Sequence, residues 1–189
     1  MEITLIRHGR SQLDGKKRIT FREFSDWVIQ YDSLGVVEES CFPNEALKKI
    51  NEANLVITSD LKRSIDSASL LRKSVKTISS SLFREIELPV TTKSFSSIKL
   101  PADTWAVLFR ILWFSGYSSN CESYNSAKER TEVATNKMIE LTSIHNNVVL
   151  VGHGFFNRLI AKELQNKGWK RETKITSKHW GTTTFTNHL

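Results

Sequence analysis

Glycine and proline are scarce in this 189-residue chain, at 8 and 3 residues, which excludes a collagen-like repeat and a low-complexity disordered tail. Only two cysteines occur, Cys41 and Cys121. They are isolated from each other and from any ligand-like cluster, so neither a secreted disulfide framework nor a zinc site is indicated. Long hydrophobic runs are missing too. Val148 to Val151, and Ala106 to Phe114 broken by Arg110, fall well short of the roughly 20 residues that cross a bilayer. The N-terminus has Glu2 where a secretory signal wants basic residues, so a cytoplasmic protein without membrane association is expected.

Hydrophobic residues make up 39% and charged residues 25% of the chain, the composition of a globular protein large enough to bury a core without staples. One domain over 1–189 is expected, because no linker, repeat or low-complexity stretch divides the sequence. Acids are the minority charge: 27 Lys and Arg stand against 20 Asp and Glu, a net +7. That balance favours anionic partners. Basic residues concentrate locally between Lys167 and Lys178, but no nucleic-acid-binding module or aromatic-interleaved basic strand accompanies them. No nucleic acid is expected.

Three segments repeat one arrangement. Glu2 to Ile6 reads as a strand ending in Arg7-His8-Gly9, and Asn54 to Thr58 as a strand followed by Ser59-Asp60 and a helical pattern through Leu61, Ile65, Ala68 and Leu71. Asn147 to Val151 reads as a strand ending in Gly152-His153-Gly154, with helical spacing from Phe155 to Leu164. Val75 to Ser79 looks like a further strand and Thr182 to Thr186 like a closing strand at or near an edge. Asp103 to Phe114 and Glu122 to Ile144 read as helices, the second with Val133, Met138, Leu141 and Ile144 as buried candidates. Trp169 and Trp180 are read as exposed aromatics that could as easily pack on the domain as join two copies. Alternating strands and helices imply an α/β fold, a mostly parallel sheet with helices on both faces. Ligands of such sheets bind beyond the carboxyl ends of the strands, where all three loops would open.

The residues in those loops suit one chemistry. Arg7 and Arg63 each offer a planar fork of donors for a phosphate or carboxylate. Histidine titrates at about 6.5, and nearby arginines would lower that value, keeping His8 neutral and nucleophilic. His153, between two glycines, supplies a second imidazole. Each feature alone has an ordinary structural explanation, such as a solvated loop side chain or a tight turn; their combination is what carries weight.

Arg7-His8-Gly9 after an N-terminal strand, Ser59 to Ala68, and Val149 to Gly154 late in the chain together resemble the histidine phosphatase superfamily, which includes the cofactor-dependent phosphoglycerate mutases. The resemblance implies a three-layer α/β/α fold, phosphoglycerate mutase-like, and a metal-independent phosphatase working through a phosphohistidine. On it, His8 is the nucleophile, Arg7 and Arg63 clamp the phosphate, His153 contacts the phosphoryl oxygens and Ser11 matches the serine or threonine of the first motif. Glu85 fits the general acid, with Glu87 as the fallback. The implied partner is a small anionic phosphorylated substrate, with no cofactor and no metal. A mutase-type phosphotransferase and a non-catalytic phosphate-binding member remain alternatives. The chain departs from the pattern at Asp14, where relatives often carry asparagine, and at Arg10, where glutamate is common. Asp14 must turn away, onto Arg10 or Arg18, or the pocket differs; Arg10 would favour a multiply anionic substrate. Residues 91–130 match nothing specific and are read as a variable insertion or lid.

Overall fold

In a computed structural model, the structure describes residues 1–74, 76–89 and 97–187. In chain order the elements are β1 (Glu2–Arg7), β2 (Arg18–Thr20), α1 (Phe21–Ser33), α2 (Asn44–Glu52), β3 (Leu55–Thr58), α3 (Lys62–Leu71) and β4 (Thr77–Ser79). After a 3-10 turn at Ser81–Phe83 come β5 (Lys99–Pro101), α4 (Ala102–Phe114), α5 (Tyr124–His145), β6 (Asn147–Gly152), α6 (Gly154–Asn166), β7 (Lys170–Arg171) and β8 (Thr182–Thr186).

Six strands form one sheet in the order β4-β3-β6-β1-β8-β7. The first four are mutually parallel, while β8 runs antiparallel to β1 and β7 antiparallel to β8. The closing strand β8 is thus one place in from the edge, which the two-residue β7 occupies. Alternation along β1 sorts side chains between layers: Ile3 and Leu5 face one side with α5 and α6, and Ile6 faces the other with α2 and α3. Both faces of the central strands are covered, so β3 and β6 read as continuous apolar runs. A third cluster, from Ile19, Phe24, Trp27, Ala102 and Phe109, joins α1 to α4 through the small β2–β5 sheet.

The architecture is the expected α/β sandwich of mostly parallel strands, with several local corrections. Val133 and Ile144 are 57% and 65% exposed, whereas Met138 and Leu141 are buried. The inward face of α5 is built mainly of Ala127, Thr131, Ala134, Thr135 and Thr142. Thr131 and Thr142 donate to the carbonyls of Ala127 and Met138 at 2.6 and 2.7 Å, which satisfies their hydroxyls without solvent. Large side chains therefore do not mark the phase of this helix. Trp169 and Trp180 are buried, at 4% and 3% exposure, the first in the α5/α6 layer and the second against the α2/α3 layer. The strand expected from Val75 begins at Thr77, and Val75 itself lies outside the described residues, as do residues 91–96 of the expected variable region. Helices α1 and α2 were not anticipated. Among the described residues no helix is long and apolar enough to cross a membrane.

Candidate active site

Because β1, β3 and β6 are parallel neighbours, their carboxyl ends meet on one edge of the sheet, and each delivers part of the site. β1 ends at Arg7 and leads into His8, β6 ends at Gly152 and leads into His153, and β3 leads through Ser59 to Arg63 in the first turn of α3. The His8 amide donates to the Gly152 carbonyl at 2.9 Å, locking two of the three segments in register.

His8 is 2% exposed. Its Nδ1 lies 2.7 Å from the Gly9 carbonyl oxygen, which can only accept, so Nδ1 holds the ring proton and Nε2 keeps its lone pair. Burial lowers its pKa well below the ordinary histidine value, and the charges of Arg63 and Arg7 lower it further. The imidazole is neutral at neutral pH. His153 lies with its ring 5.2 Å from that of His8, and its Nε2 is 2.7 Å from the Ser59 hydroxyl. Burial, then Arg63 and His8, keep it neutral as well.

Arg63, also 2% exposed, donates from Nη1 to Asp32 at 2.8 Å and to the Tyr31 carbonyl at 3.3 Å, with its guanidinium 4.5 Å above the Tyr31 ring. Arg7 donates to the Ser177 carbonyl. After these contacts Arg7 Nε, Arg63 Nε and His153 Nδ1 remain buried and without a protein partner. Buried polar atoms left unpaired cost about 1–3 kcal/mol each, and an anion accepting from the two arginine Nε–H groups would remove that cost there.

Two glycines make the approach possible. A Cβ at Gly9 would stand 2.1 Å from the Trp180 ring, and one at Gly154 would stand 3.1 Å from Arg7 Nε. The second glycine of Gly152-His153-Gly154 therefore clears space for the first-motif arginine.

Arg7 and Arg63 open onto a cavity of about 560 Å³, which Glu85 and Glu87 also line. His8 and His153 are not part of that wall; they lie within electrostatic reach of the two arginines. Glu85 is placed unlike a free acid. Its Oε1 accepts from the amides of Ile86 at 3.0 Å and Phe156 at 2.9 Å, and its Oε2 from Phe155 at 3.0 Å. It thereby caps α6, whose N-cap residue His153 makes no side-chain cap bond.

Ser11 does not join the cluster. Its hydroxyl accepts from the Leu13 amide at 3.2 Å within a turn, and it does not line the cavity. Asp14 turns away as its charge requires, but onto the Lys16 amide at 2.9 Å rather than onto Arg10 or Arg18. Arg10 is exposed and lies outside the cavity wall. His179 was not singled out from the sequence, yet its Nδ1 is 3.1 Å from the His8 carbonyl and its ring 5.7 Å from the His8 ring. Burial and then Arg7 lower its pKa. Only its place beside Trp180, before a β-branched strand, hinted at it. Among the described residues no group of three His, Cys, Asp or Glu could hold a metal ion.

The sequence profile of the histidine phosphatase superfamily (branch 1) matches residues 3–186. No curated protein sequence matches the chain. Among solved structures, a phosphoglycerate mutase from Bacillus anthracis str. Sterne is similar with TM-score 0.62 and 15% identity, over 97% of this chain and 86% of that one. A mycobacterial glucosyl-3-phosphoglycerate phosphatase is similar with TM-score 0.60 and 16% identity, over 100% and 92%. A phosphoserine phosphatase from Entamoeba histolytica gives 0.55 and 14%, over 97% and 89%. At these identities the likeness is one of fold.

Proposed function

The chain belongs to branch 1 of the histidine phosphatase superfamily, and from that premise we propose that it hydrolyses a phosphomonoester through a phosphohistidine on His8. The observation that carries this reading is the set of buried, unpartnered nitrogens of Arg7, Arg63 and His153 around a neutral His8. The phosphoryl group reaches His8 by replacing the Ser177 carbonyl on Arg7 and Asp32 on Arg63. Ser59 Oγ accepts from the Leu61 amide at 3.3 Å; the tautomer of His153 that serves this reaction accepts the Ser59 hydrogen bond at Nε2 and presents Nδ1–H to a phosphoryl oxygen. The arginines supply the positive charge that the transferring group requires.

His8 Nε2 attacks phosphorus, the bond from phosphorus to the ester oxygen breaks, and the leaving oxygen takes a proton from a carboxylic acid. Water then attacks the phosphohistidine and gives a proton back to the carboxylate, the P–N bond breaks, and orthophosphate, His8 and the carboxylic acid are restored. Glu85 is the acid in this scheme. It delivers a proton only by giving up one of its three amide contacts to an O–H, so capping α6 and acting as the acid compete in one side chain. That competition favours one second reading, a phosphate-binding member of the fold with little turnover.

The deciding experiment follows hydrolysis of an aryl phosphate and a panel of natural phosphomonoesters, with chelator present, in wild type and His8→Ala. Turnover that survives chelation and is lost in His8→Ala, with acid-labile label trapped on the wild-type chain, is expected. Phosphate binding without turnover of any ester would instead favour the second reading.

A further inference from the structure

Beyond Arg7 and Arg63 the cavity changes character. Trp27, Val28 and Tyr31 from α1, Leu88, Val107 from α4 and Phe155 from α6 line it, and its roughly 560 Å³ falls in the range that encloses most of a drug-sized molecule. The arginines farther along this wall are already engaged. Arg84 pairs with both oxygens of Asp60 at 2.6 and 2.7 Å, Arg110 donates to the Ile86 carbonyl at 2.7 Å with its guanidinium 4.5 Å above Phe155, and Arg158 donates to the Ser177 hydroxyl at 2.8 Å. Asp32, Glu87 and Asp103 line the same space. A second anionic group on the substrate would meet these acids and an Arg84 already neutralised by Asp60, leaving Arg110 and Arg158, each bonded to a neutral oxygen, as the remaining cations.

The apolar wall also continues outward. Val107, Ile111 and Phe114, at i, i+4 and i+7 of α4, are 59%, 59% and 55% exposed, positions that a surface helix ordinarily gives to polar residues. Val107 stands on the cavity wall. Phe114, at the far end, packs its ring 5.5 Å from that of Phe155, itself a wall residue.

We propose that the substrate is an amphiphilic phosphomonoester: one phosphate, taken by Arg7 and Arg63, on an uncharged body consisting of an extended aliphatic chain. That chain follows the Trp27–Val107 wall and runs out along the Val107, Ile111, Phe114 stripe. This inference rests on the phosphate-binding part of the function proposed above and gives the aliphatic chain the Trp27, Val28, Leu88 and Val107 side of the cavity. A phosphoglycerate-like or sugar bisphosphate substrate, with its second anionic group, is correspondingly disfavoured.

The test titrates the full chain with non-hydrolysable n-alkylphosphonates from butyl to decyl, below their micelle concentrations, and measures kcat/KM for the matching alkyl phosphates and for 3-phosphoglycerate. Affinity should tighten by about two- to fourfold per added methylene, fourfold corresponding to about 0.8 kcal/mol for a buried CH₂, and 3-phosphoglycerate should be a poor substrate. Trp27→Ala and Val107→Asp should flatten the series throughout, whereas Ile111→Asp, at an exposed position, should flatten only its long end. Affinity indifferent to chain length, or a preference for the doubly anionic ester, would overturn the inference. Turnover with a flat series sinks this inference and leaves the hydrolase reading intact, while a steep phosphonate series without turnover does the reverse. If no phosphonate binds, both fall. A dimer that Ile111→Asp converts to monomer, with the chain-length series unaltered, would give the stripe to a second copy and remove it from the substrate path.

Discussion

Glu85 and Phe156 are joined by a 2.9 Å hydrogen bond from the Phe156 amide to the Glu85 carboxylate, across 70 residues of intervening chain. With the Phe155 and Ile86 amides, it makes Glu85 the clamp that fixes the start of α6, immediately after His153. Glu85→Gln keeps the shape but turns an NH₂ group toward at least one amide donor. A loss of about 1.5–3 kcal/mol in unfolding free energy is expected for Glu85→Gln, in the range of a hydrogen bond to a charged group, and a larger loss for Glu85→Ala. Denaturant titration measures it. If Glu85 is also the acid, turnover of alkyl esters should fall by about 10²- to 10⁴-fold, and that of an aryl phosphate with a good leaving group by less. Equal losses on both esters would leave Glu85 as a cap alone.

Gly9 is set by Trp180. The indole ring fills the place where a Cβ would be, 2.1 Å from its Cζ2 atom, and Trp180 is wedged between Phe42 and the sheet. Gly9→Ala is expected to cost about 1–3 kcal/mol as overpacking. It should also weaken orthophosphate binding by displacing His8 next door. Calorimetric unfolding with and without phosphate separates the two effects; a variant as stable as wild type would show that the ring moves freely.

Two buried neutral histidines give the fold a pH dependence of definite sign. His8 and His153 have pKa values lowered well below the usual histidine value, while in the unfolded chain each titrates at about 6.5. Between those limits the unfolded state binds more protons, so stability rises with pH. The contribution is complete above about pH 7 and is lost as pH falls below 6.5, at about 1.4 kcal/mol per pH unit for each histidine. Urea midpoints measured between pH 5 and 7.5 should show it, and both His8→Gln and His153→Gln should reduce the slope. The acid limb of kcat/KM should lie below 6.5; a limb at or above that value would contradict the buried, neutral His8.

Asp32 holds Arg63 at 2.8 Å while remaining 45% exposed at its side chain. In the proposed reaction it competes with an incoming phosphate for the same guanidinium. Asp32→Asn keeps an oxygen acceptor and removes the charge, so orthophosphate or vanadate should inhibit at about fivefold lower concentration, on the order of 1 kcal/mol of relieved repulsion. An unchanged or weakened inhibition constant would mean that the Arg63–Asp32 pair persists in the complex.

The central strands and their loops were legible because β1, β3 and β6 are short apolar runs that stop abruptly at polar, chemically marked residues, and parallel packing then brings those residues together. The candidate site was legible, as a set of residues brought together, where they sit next to a strand end: Arg7, His8, Arg63 and His153. It was not legible where a residue reaches the site from an unmarked loop. His179 follows no apolar run, and its contact with His8 exists only because β8 pairs with β1. Ser11 matched a motif by position, but a hydroxyl two residues from an amide satisfies its own turn first. Helix α1 does carry a sequence signal, Thr20 and Glu23 at capping-box spacing, which the apolar pattern obscured. The sequence leaves the packing of Trp180 open because a lone tryptophan flanked by His179 and Gly181 shows no periodicity, although its φ of +61° marks a residue held by its surroundings. The face of α5 was misread because alanine and threonine supply the contact.

The pairing of β1 with β8 joins residues made far apart in time: Glu2 lies opposite Thr186, and the Met1 amino group donates to the Asn187 carbonyl at 3.0 Å. At about 5–20 residues per second, His8 leaves the ribosome many seconds before Trp180 and His179 are synthesised. A nascent chain halted short of them has made His8 but neither the indole that packs on Gly9 nor the imidazole that contacts the His8 carbonyl. The contacts of Trp180 and His179 with the first loop therefore wait on the making of residues about 170 positions later, and carry the loop-closure cost of a non-local pairing.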